Sequence, residues 1–296
     1  MKLYVGSRQS LLAVRQSEII MKEIKQFHPE LELELVTMKT TGDRILHKTL
    51  DKIGGKGLFI KELDLALKEG RIDLAVHSLK DMPMEESGEF PILACSTRED
   101  PRDVLVLRKG CAGLDQHAVI GCSSLRRKLQ LRKLFPEAEF QNIRGNILTR
   151  LEKLDRGEYD ALVLAAAGLI RLGLAHRISR FFSVEEILPP AGQGILAVQG
   201  SGRMRKLADC VNDRFSYCAA SAERAFVREL DGGCSSPVAA HAVVKEGVCE
   251  LRGLYYEERT GGYRIGRKTA VIEGKDESAA RLAAAMGREL AHELRG

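Results

Sequence analysis

The segment RIDLAVHSLKDMP, residues 71–83, places chemically capable side chains directly after a short apolar stretch. Residues 72–76 are mostly apolar and predict a buried strand of a parallel α/β sheet, and ligands bind just beyond the carboxyl ends of such strands. The side chains at that end are His77, Ser78, Lys80 and Asp81. A lysine beside an aspartate is also an ordinary surface pair of little energetic weight. This segment alone therefore leaves a binding site and a solvated loop both open.

Three predicted helix starts combine small polar capping residues with arginine. They are SRQS at 7–10, CSSLRR at 122–127 and RGN at 144–146, the last with Arg150 one turn further on. Helix N-termini favour anions through their free N–H groups and the helix dipole, and arginine pairs with carboxylate or phosphate in a bidentate manner. The repetition predicts a ligand with several negative groups.

The basic run from Arg126 to Lys133 suggests nucleic acid as an alternative ligand. Aromatic residues make up only 5% of the chain, tryptophan is absent, and no base-stacking motif interleaves with these charges. Part of that helix also suits an ordinary solvated face. We therefore expect a small anionic ligand and no nucleic-acid partner.

The stretch DGGCSSP, residues 231–237, holds a cysteine between two glycines and a proline. The glycines let the backbone turn sharply, which favours a displayed thiol at Cys234. A free cysteine is by default a small buried apolar residue, and no adjacent histidine or asparagine marks a cysteine-hydrolase pair. An attachment point is therefore the alternative to a turnover nucleophile.

The elements that must position these groups begin with an alternation of strands and helices. Strands are predicted at 2–6, 31–36 and 72–76, with helices at 11–27 and 58–69 between them. This βαβαβ order implies a parallel sheet. A second α/β set follows REDPRD at 98–103, and ILAVQG, after the linker LPPAGQG at 188–194, could return to the first sheet.

From about residue 215 a helix, several alternating segments and a final amphipathic helix predict a small domain with an antiparallel sheet. The fold class is therefore α/β, with two periplasmic-binding-protein-like lobes that have parallel-rich sheets, plus a small α+β C-terminal domain. The predicted domains are 1–98 with 194–213, then 99–193, then 214–296. A ligand is expected in the cleft between the lobes.

A glycine-rich, charged loop at 42–57 separates the second predicted strand from the second helix. Its GGKG sequence is no phosphate-binding P-loop, because Lys56 is followed by glycine and not by Ser or Thr at a helix start. Loops of this length are usually lids or disordered. We expect a lid that carries Lys56, with a plain surface loop as the alternative.

Composition excludes several classes of protein. The chain has 296 residues, of which 44% are hydrophobic and 29% charged, as expected of a globular protein. No apolar run approaches the ~20 residues of a membrane span, and the first residues lack the apolar core of a signal peptide, so a cytoplasmic location without membrane contact is expected. Seven cysteines without a CxxC pair and histidines without an HExxH pattern predict neither a disulfide framework nor a metal. No dimer motif is present, and a monomer is expected.

Nine stretches share their residues and their order with a known family. They are GSRQS (6–10), GGKGLFIKEL (54–63), AVHSLKDMP (75–83), REDPRD (98–103), SSLRR (123–127), IRGNILTRL (143–151), AAAGLIRLGL (165–174), LPPAGQG (188–194) and DGGCSSP (231–237). On these stretches the chain resembles the porphobilinogen deaminase family. The C-terminal domain matches only weakly apart from the cysteine stretch.

The resemblance implies a transferase of tetrapyrrole (heme) biosynthesis that condenses four porphobilinogen molecules head to tail and releases ammonia at each step. It implies a covalent dipyrromethane cofactor held by a thioether at Cys234, with Asp81 as the catalytic aspartate and Gln193 at a hinge. The residues implied to bind cofactor and substrate carboxylates are Arg8, Ser10, Lys80, Ser124, Arg126, Arg127, Arg144, Arg150 and Arg171.

Two stretches depart from the family's pattern. Cys122 stands where the family commonly has threonine, which puts a hydroxyl contact to the cofactor in doubt. At residues 197–203 the chain has AVQGSGR, where the family usually has a pattern that contains an acidic residue and a cysteine. The rival function is a ligand-binding protein or effector domain on the same bilobal fold, because fold alone does not fix function.

Overall fold

A computed structural model describes residues 1–40, 60–85, 88–232, 237–257, 260–272 and 277–296. The predicted lid at 42–57, including Lys56, and the predicted attachment residue Cys234 lie outside the described residues. Their roles therefore stay predictions.

The first lobe is a five-stranded sheet in the order β2-β1-β3-β10-β4. Its strands are β1 (Lys2–Arg8), β2 (Glu32–Met38), β3 (Leu74–Ser78), β4 (Ile92–Cys95) and β10 (Leu196–Gly200). Strand β1 runs parallel to both β2 and β3, as the βαβαβ order predicted. Strand β10 lies between β3 and β4 and is antiparallel to both, so the segment ILAVQG does return to this sheet.

Among the described residues, helices α1 (Leu11–Phe27) and α2 (Lys61–Lys68) pack on this sheet. The apolar spacing of α1 places Ile20 and Ile24 on one face, where they pack against Leu74 and Val76 of β3 in one buried cluster. Helix α2 packs Leu63 against Ala75 on the opposite face of the sheet. Strand β3 is therefore buried on both faces, which explains its nearly continuous apolar sequence.

The second lobe repeats this plan with the strand order β7-β6-β8-β5-β9. Its strands are β5 (Asp103–Leu107), β6 (Val119–Gly121), β7 (Glu139–Gln141), β8 (Ala161–Ala165) and β9 (Arg180–Phe181), and its helices are α3 (Leu125–Leu134), α4 (Ile147–Asp155) and α5 (Ala166–Arg171). Strand β5 is antiparallel to both neighbours, while β6 is parallel to β7 and β8. In each lobe the strand that is antiparallel to both of its neighbours is fourth in the sheet order, and it is the strand that the chain enters from the other lobe.

The C-terminal part has an antiparallel sheet in the order β11-β12-β13, covered by two long helices. Its elements are α7 (Arg214–Glu229), β11 (Ala239–Lys245), β12 (Val248–Glu257), β13 (Gly262–Val271) and α8 (Glu277–Arg295), preceded by the short α6 (Arg205–Ala208). Helices α7 and α8 approach very closely, because a Cβ atom on Gly287 would lie 2.2 Å from the carbonyl oxygen of Ala222. Among the described residues, no helix is both long and apolar enough to span a bilayer. The α/β lobes and the α+β C-terminal part agree with the predicted fold class.

The chain crosses between the lobes twice, and Glu223 of α7 holds both crossings. Its buried carboxylate accepts hydrogen bonds from Arg98 in the first crossing at 2.8 Å and from the Gly192 N–H in the second at 2.7 Å. It also accepts from the Ala242 N–H of β11 at 2.7 Å. Burial alone would raise the pKa of Glu223, but Arg98 and the other donors outweigh it and hold the pKa below its usual range.

The two crossings also touch each other at Gly194. The Glu99 N–H donates to the Gly194 carbonyl oxygen at 3.0 Å. Gly194 has a φ of +89°, and a Cβ atom there would lie 2.2 Å from the Glu99 carbonyl oxygen. Only glycine suits this position, because both the backbone conformation and the close approach exclude a side chain.

Replacing Glu223 with alanine should lower the free energy of unfolding by about 3–5 kcal/mol, because Arg98 and two backbone N–H groups would lose their buried acceptor. Urea unfolding followed by circular dichroism measures this. The matched control is Glu18→Ala, whose carboxylate makes an exposed ion pair with Arg15 on α1. That control should cost less than about 1 kcal/mol. Equal effects of the two substitutions would contradict a central role for Glu223.

Candidate functional site

The three predicted helix starts are confirmed, and each is capped by the expected type of side chain. Ser10 accepts a hydrogen bond from the Ala13 N–H at 3.3 Å, and Ser124 accepts from the Arg127 N–H at 3.4 Å. Asn146 accepts from the Thr149 N–H at 3.0 Å. The two serines that were predicted to bind a ligand therefore serve as N-caps of α1 and α3.

Asp81 and Lys80 lie on a short 3₁₀ turn, Leu79–Asp81, at the carboxyl end of β3. Leu79 is fully buried and anchors the turn, while the Asp81 side chain is exposed. Lys80 is partly buried and donates a hydrogen bond to Gln193 Oε1 at 3.2 Å. Burial lowers the pKa of Lys80 to about 8, against the opposing effect of Asp81. The turn therefore presents an open carboxylate beside a lysine.

The segment that follows this turn is held by the C-terminal part of the chain. Arg224 of α7 donates to the carbonyl oxygens of Pro83 at 2.5 Å and Met84 at 3.2 Å. A cavity of about 260 Å³ lies beside these contacts, between the first lobe and helices α7 and α8, and is lined by Leu79 and Tyr217 among others. Asp81 does not line it.

Asp103, at the start of β5, is fully buried between two arginines of α3. Arg126 Nη2 lies 2.7 Å from Asp103 Oδ2, and Arg127 Nη2 lies 2.7 Å from Asp103 Oδ1. Burial alone would raise the pKa of Asp103, but Arg126 and Arg127 outweigh it and hold the pKa well below its usual range. Asp103 is therefore ionised wherever the protein is folded near neutral pH.

These contacts bear on the prediction that Arg126 and Arg127 bind the carboxylates of a ligand. Arg126 is buried and also donates to the Leu188 carbonyl oxygen at 2.7 Å, so its guanidinium is engaged by the protein itself. Arg127 donates to the Val163 carbonyl oxygen at 3.1 Å, and its Nε is buried without a hydrogen-bond partner among the described residues. Arg127 thus retains a donor for a further group. Binding of ligand carboxylates by either arginine stays a prediction.

Gln193 connects this cluster to the turn that bears Asp81. Its side chain is fully buried, donates through Nε2 to the Pro101 carbonyl oxygen at 2.7 Å and to Asp103 Oδ1 at 2.9 Å, and accepts from Lys80 through Oε1. A continuous set of hydrogen bonds therefore runs from α3 in the second lobe to Lys80 in the first. Gln193 was predicted at a hinge, and the structure places it at the second crossing.

Three further arginines that were predicted to bind ligand carboxylates lie at the ends of α4 and α5. Arg150 donates through Nε to the Gly145 carbonyl oxygen at 2.8 Å, and burial lowers its pKa to about 10, with Arg127 adding to the effect. Arg144 is partly buried just before α4. Arg171, at the end of α5, donates to the Gly194 carbonyl oxygen at 2.6 Å, and burial lowers its pKa to about 10. Arg171 thus contacts the second crossing.

A small cavity lies directly at the carboxyl end of β3. Its wall includes Arg8, Gln16, His77, Ser78 and Asp81. Two predicted residues, Arg8 and Asp81, therefore meet there. The space that these residues enclose has a volume of about 20 Å³, which is enough for about one water molecule.

Two residues that organise this region had no assigned role in the sequence analysis. Asp103 and Glu223 bind their arginines over long sequence separations, and neither interrupts a local pattern that would mark it. Cys122 is buried, and burial raises the pKa of its thiol. Within the part of the chain that the structure describes, no group of three or more metal-ligating side chains occurs.

Comparison with known proteins identifies the family. A family model described as "Porphobilinogen deaminase, dipyromethane cofactor binding domain" matches residues 3–209, and one described as "Porphobilinogen deaminase, C-terminal domain" matches residues 217–296. The chain belongs to the porphobilinogen deaminase family. The first match spans both lobes and so includes Asp81, Lys80 and the arginines of α3.

Curated relatives carry the same family name. The porphobilinogen deaminase of Ruminiclostridium cellulolyticum is 56% identical over 88% of this chain and 89% of its own length. That of Alkaliphilus oremlandii is 52% identical over 100% of this chain and 97% of its own length. Among solved structures, the periplasmic VFT2 domain of Bordetella pertussis BvgS aligns with a TM-score of 0.40 and 16% identity, covering 71% of this chain and 85% of that one.

The residues present fit the cofactor named in the family's first domain. A dipyrromethane bears carboxylate side chains, and Arg127 offers a buried Nε donor that no described group accepts. Arg150 and Lys80 add positive charge, and the depressed pKa of each is explained chiefly by burial. An anionic group would relieve that burial cost.

Replacing Asp103 with asparagine should destabilise the protein by about 3–5 kcal/mol at pH 7, because two buried arginines would lose their counter-charge. The pKa of Asp103 is lower in the folded than in the unfolded state, so its contribution is complete above the unfolded pKa and declines as the pH falls below it. The difference in unfolding free energy between wild type and Asp103→Asn should shrink by about 1 kcal/mol between pH 7 and pH 3.

Urea unfolding at several pH values measures this difference, with Glu18→Gln on the exposed face of α1 as the control. A difference that stays constant with pH would show that Asp103 has an ordinary pKa in the folded protein.

Proposed function

We propose that this protein condenses four porphobilinogen molecules head to tail into the linear tetrapyrrole hydroxymethylbilane, with release of ammonia at each step. Membership of the porphobilinogen deaminase family over nearly the whole chain supports this. The observation that carries it is the turn at the end of β3, where an open carboxylate at Asp81 stands beside Lys80 and the arginine-rich start of α3.

Asp81 is proposed as the catalytic residue. When the amino nitrogen of porphobilinogen leaves as ammonia, its bond to the methylene carbon breaks and positive charge develops on the methylene and pyrrole ring that remain. A nearby carboxylate stabilises that charge. The same carboxylate can assist proton transfer to the departing amine. Asp81 suits both tasks because its side chain is exposed at the cavity, on a turn whose backbone is anchored by the buried Leu79.

The basic residues are proposed to hold the carboxylates of substrate and cofactor. Each pyrrole unit bears an acetate and a propionate, so a growing chain brings many negative groups that need several partners. Asp103 forms buried ion pairs with both Arg126 and Arg127, and these contacts orient the two guanidiniums. The full proposed set is Arg8, Ser10, Lys80, Ser124, Arg126, Arg127, Arg144, Arg150 and Arg171.

Cys234 is proposed to hold the dipyrromethane cofactor through a thioether. When bound, that group supplies the pyrrole carbon to which the first substrate unit is joined. The chain's own residues would orient it by ion pairs, while Gln193 at the second crossing serves as a hinge and Lys56 is carried on a lid. We further propose a cytoplasmic monomer that acts on this small molecule and binds neither nucleic acid nor membrane.

The variant Asp81→Asn should fold normally and lose turnover by about 10²–10⁴-fold, because charge stabilisation and proton transfer are both removed. Formation of tetrapyrrole from porphobilinogen measures turnover, and circular dichroism checks the fold. The control is Asp209→Asn, an exposed aspartate far along the chain, which should leave turnover unchanged. Near-normal turnover in Asp81→Asn would remove Asp81 from the mechanism. Wild-type protein that binds porphobilinogen without turnover would favour the ligand-binding alternative.

The intact mass of the purified protein tests the attachment site. Wild type should exceed the sequence mass by two linked pyrrole units, and Cys234→Ser should not. Cys111→Ser, at an exposed cysteine elsewhere, is the control and should keep the added mass. A wild-type chain that stays unmodified after incubation with porphobilinogen would contradict the thioether.

A further inference from the structure

Gln193 lies in the second crossing, and its side chain makes contacts that a hinge does not require. Its amide is fully buried, and Oε1 accepts a hydrogen bond from Lys80 Nζ at 3.2 Å. Its Nε2 donates to the Pro101 carbonyl oxygen at 2.7 Å and to Asp103 Oδ1 at 2.9 Å. A hinge role concerns the backbone and does not account for these three side-chain bonds.

We propose that Gln193 is a positioning residue for Lys80, and that its amide holds the ammonium group where that group binds a carboxylate of substrate or cofactor. The same amide fixes the place of Lys80 relative to Arg127 of the second lobe. This inference rests on the proposed function, because Lys80 and Arg127 are among the groups proposed to bind those carboxylates. It goes beyond the hinge prediction, because it assigns a function to the side chain.

The partners of the amide nitrogen determine the orientation of the Gln193 side chain. The Pro101 carbonyl oxygen and the ionised Asp103 carboxylate can only accept hydrogen bonds, so Nε2 must face them. The amide oxygen then faces Lys80, whose ammonium group can only donate. All three bonds are made in this orientation, and none would be made if the amide were flipped. The acceptor for Lys80 is therefore fixed by the first crossing.

The backbone of Gln193 is held as well. Its N–H donates to the Pro190 carbonyl oxygen at 3.2 Å, and its own carbonyl oxygen accepts from Arg98 Nη1 at 3.1 Å. Arg98 is in turn held by the buried carboxylate of Glu223. The amide that meets Lys80 therefore projects from an anchored segment.

The charge of Lys80 depends on its neighbours. Burial lowers its pKa to about 8, and two arginines add to this lowering while two aspartates oppose it. These charged neighbours are Asp81, Arg127, Asp103 and Arg126. The Oε1 atom of Gln193 is an uncharged acceptor, so it favours the ammonium form without neutralising it. The positive charge thus stays available to a carboxylate of the ligand.

The amide also relates Lys80 to a cation of the other lobe. Asp103 Oδ1 accepts from Gln193 Nε2 and, at 2.7 Å, from Arg127 Nη2. Arg127 Nε is buried without a hydrogen-bond partner among the described residues. Two cationic groups, one from each lobe, are thus connected through one amide and one carboxylate. Porphobilinogen has an acetate and a propionate, which are two groups of the kind that such cations bind.

The first arm of the test measures the pKa of Lys80 without turnover. In full-length protein labelled with ¹³C-lysine, the Cε signal that is lost in Lys80→Arg identifies Lys80, and its change with pH gives the pKa. Gln193→Met keeps a similar volume and removes the acceptor, so the pKa should fall by about half a pH unit or more. Gln193→Glu places a carboxylate against the ammonium group, so the pKa should rise by about as much.

The matched control is Gln130→Met. Gln130 is a buried glutamine of α3, and its amide bonds the backbone of Leu188 and Arg126. This substitution should destabilise the protein and leave the pKa of Lys80 unchanged. Shifts of the same sign in both Gln193 variants, or no shift in either, would overturn the proposal, because a general disturbance of the fold does not follow the charge at position 193. If Gln193→Met does not fold, an unchanged or lowered pKa in Gln193→Glu overturns it alone.

The second arm measures binding of the two kinds of carboxylate. A contact with substrate affects KM, and a contact with the cofactor affects the fraction of chains that carry the added mass of two pyrrole units. Gln193→Met should raise KM about tenfold or lower that fraction about tenfold, while Gln130→Met should change neither. If both quantities in folded Gln193→Met stay within about twofold of wild type, the positioning role is wrong.

A hinge role alone would instead lower kcat, with KM and the loaded fraction unchanged. Wild type that makes no tetrapyrrole would defeat the proposed function, whereas the opposite pKa shifts in the two Gln193 variants are measured independently of turnover.

Discussion

The buried carboxylate of Asp103 is the interaction on which the arrangement of the site depends. Removing an ionised carboxylate from water costs several kcal/mol, so the position is tolerated only because two guanidiniums and one amide surround it. Those same contacts orient the start of α3 and fix Gln193 at the second crossing. Gln193 in turn accepts a hydrogen bond from Lys80, the neighbour of Asp81. One buried charge therefore relates a helix of the second lobe to the reactive turn of the first.

Glu223 applies the same physics to the C-terminal part of the chain. Its carboxylate is satisfied by one arginine and two backbone N–H groups that belong to both crossings and to β11. Because a buried charge that loses its partners is strongly destabilising, Glu223 stabilises the arrangement in which these segments meet α7. Both crossings are thus bound to the C-terminal part through one carboxylate, and the two five-stranded sheets extend from them.

Much of the fold could be predicted from the sequence, because strands and helices are recognisable from the local spacing of their apolar residues. Ser10, Ser124 and Asn146 were recognisable as helix starts from their type and place, and each makes the predicted capping bond. The antiparallel direction of β10 and β5 could not be predicted, since an apolar run has no direction. Asp103 and Glu223 were missed because each acts through partners many residues away, and a single polar residue produces no periodic pattern in the sequence. Arg126 was predicted to bind a ligand carboxylate, and its ion pair with Asp103 could not be predicted because it depends on the position of β5 relative to α3.

Helix α7 carries two neighbouring residues with different attachments. Glu223 holds the crossings, while Arg224 holds the carbonyl oxygens of Pro83 and Met84, just after Asp81. Successive residues on an α-helix point about 100° apart, so both attachments are met at only one rotation of the helix about its axis. Inserting or deleting one residue ahead of Glu223 within α7 would turn both side chains away from their partners together. The length of this helix should therefore tolerate evolutionary change far less than its exposed side chains do.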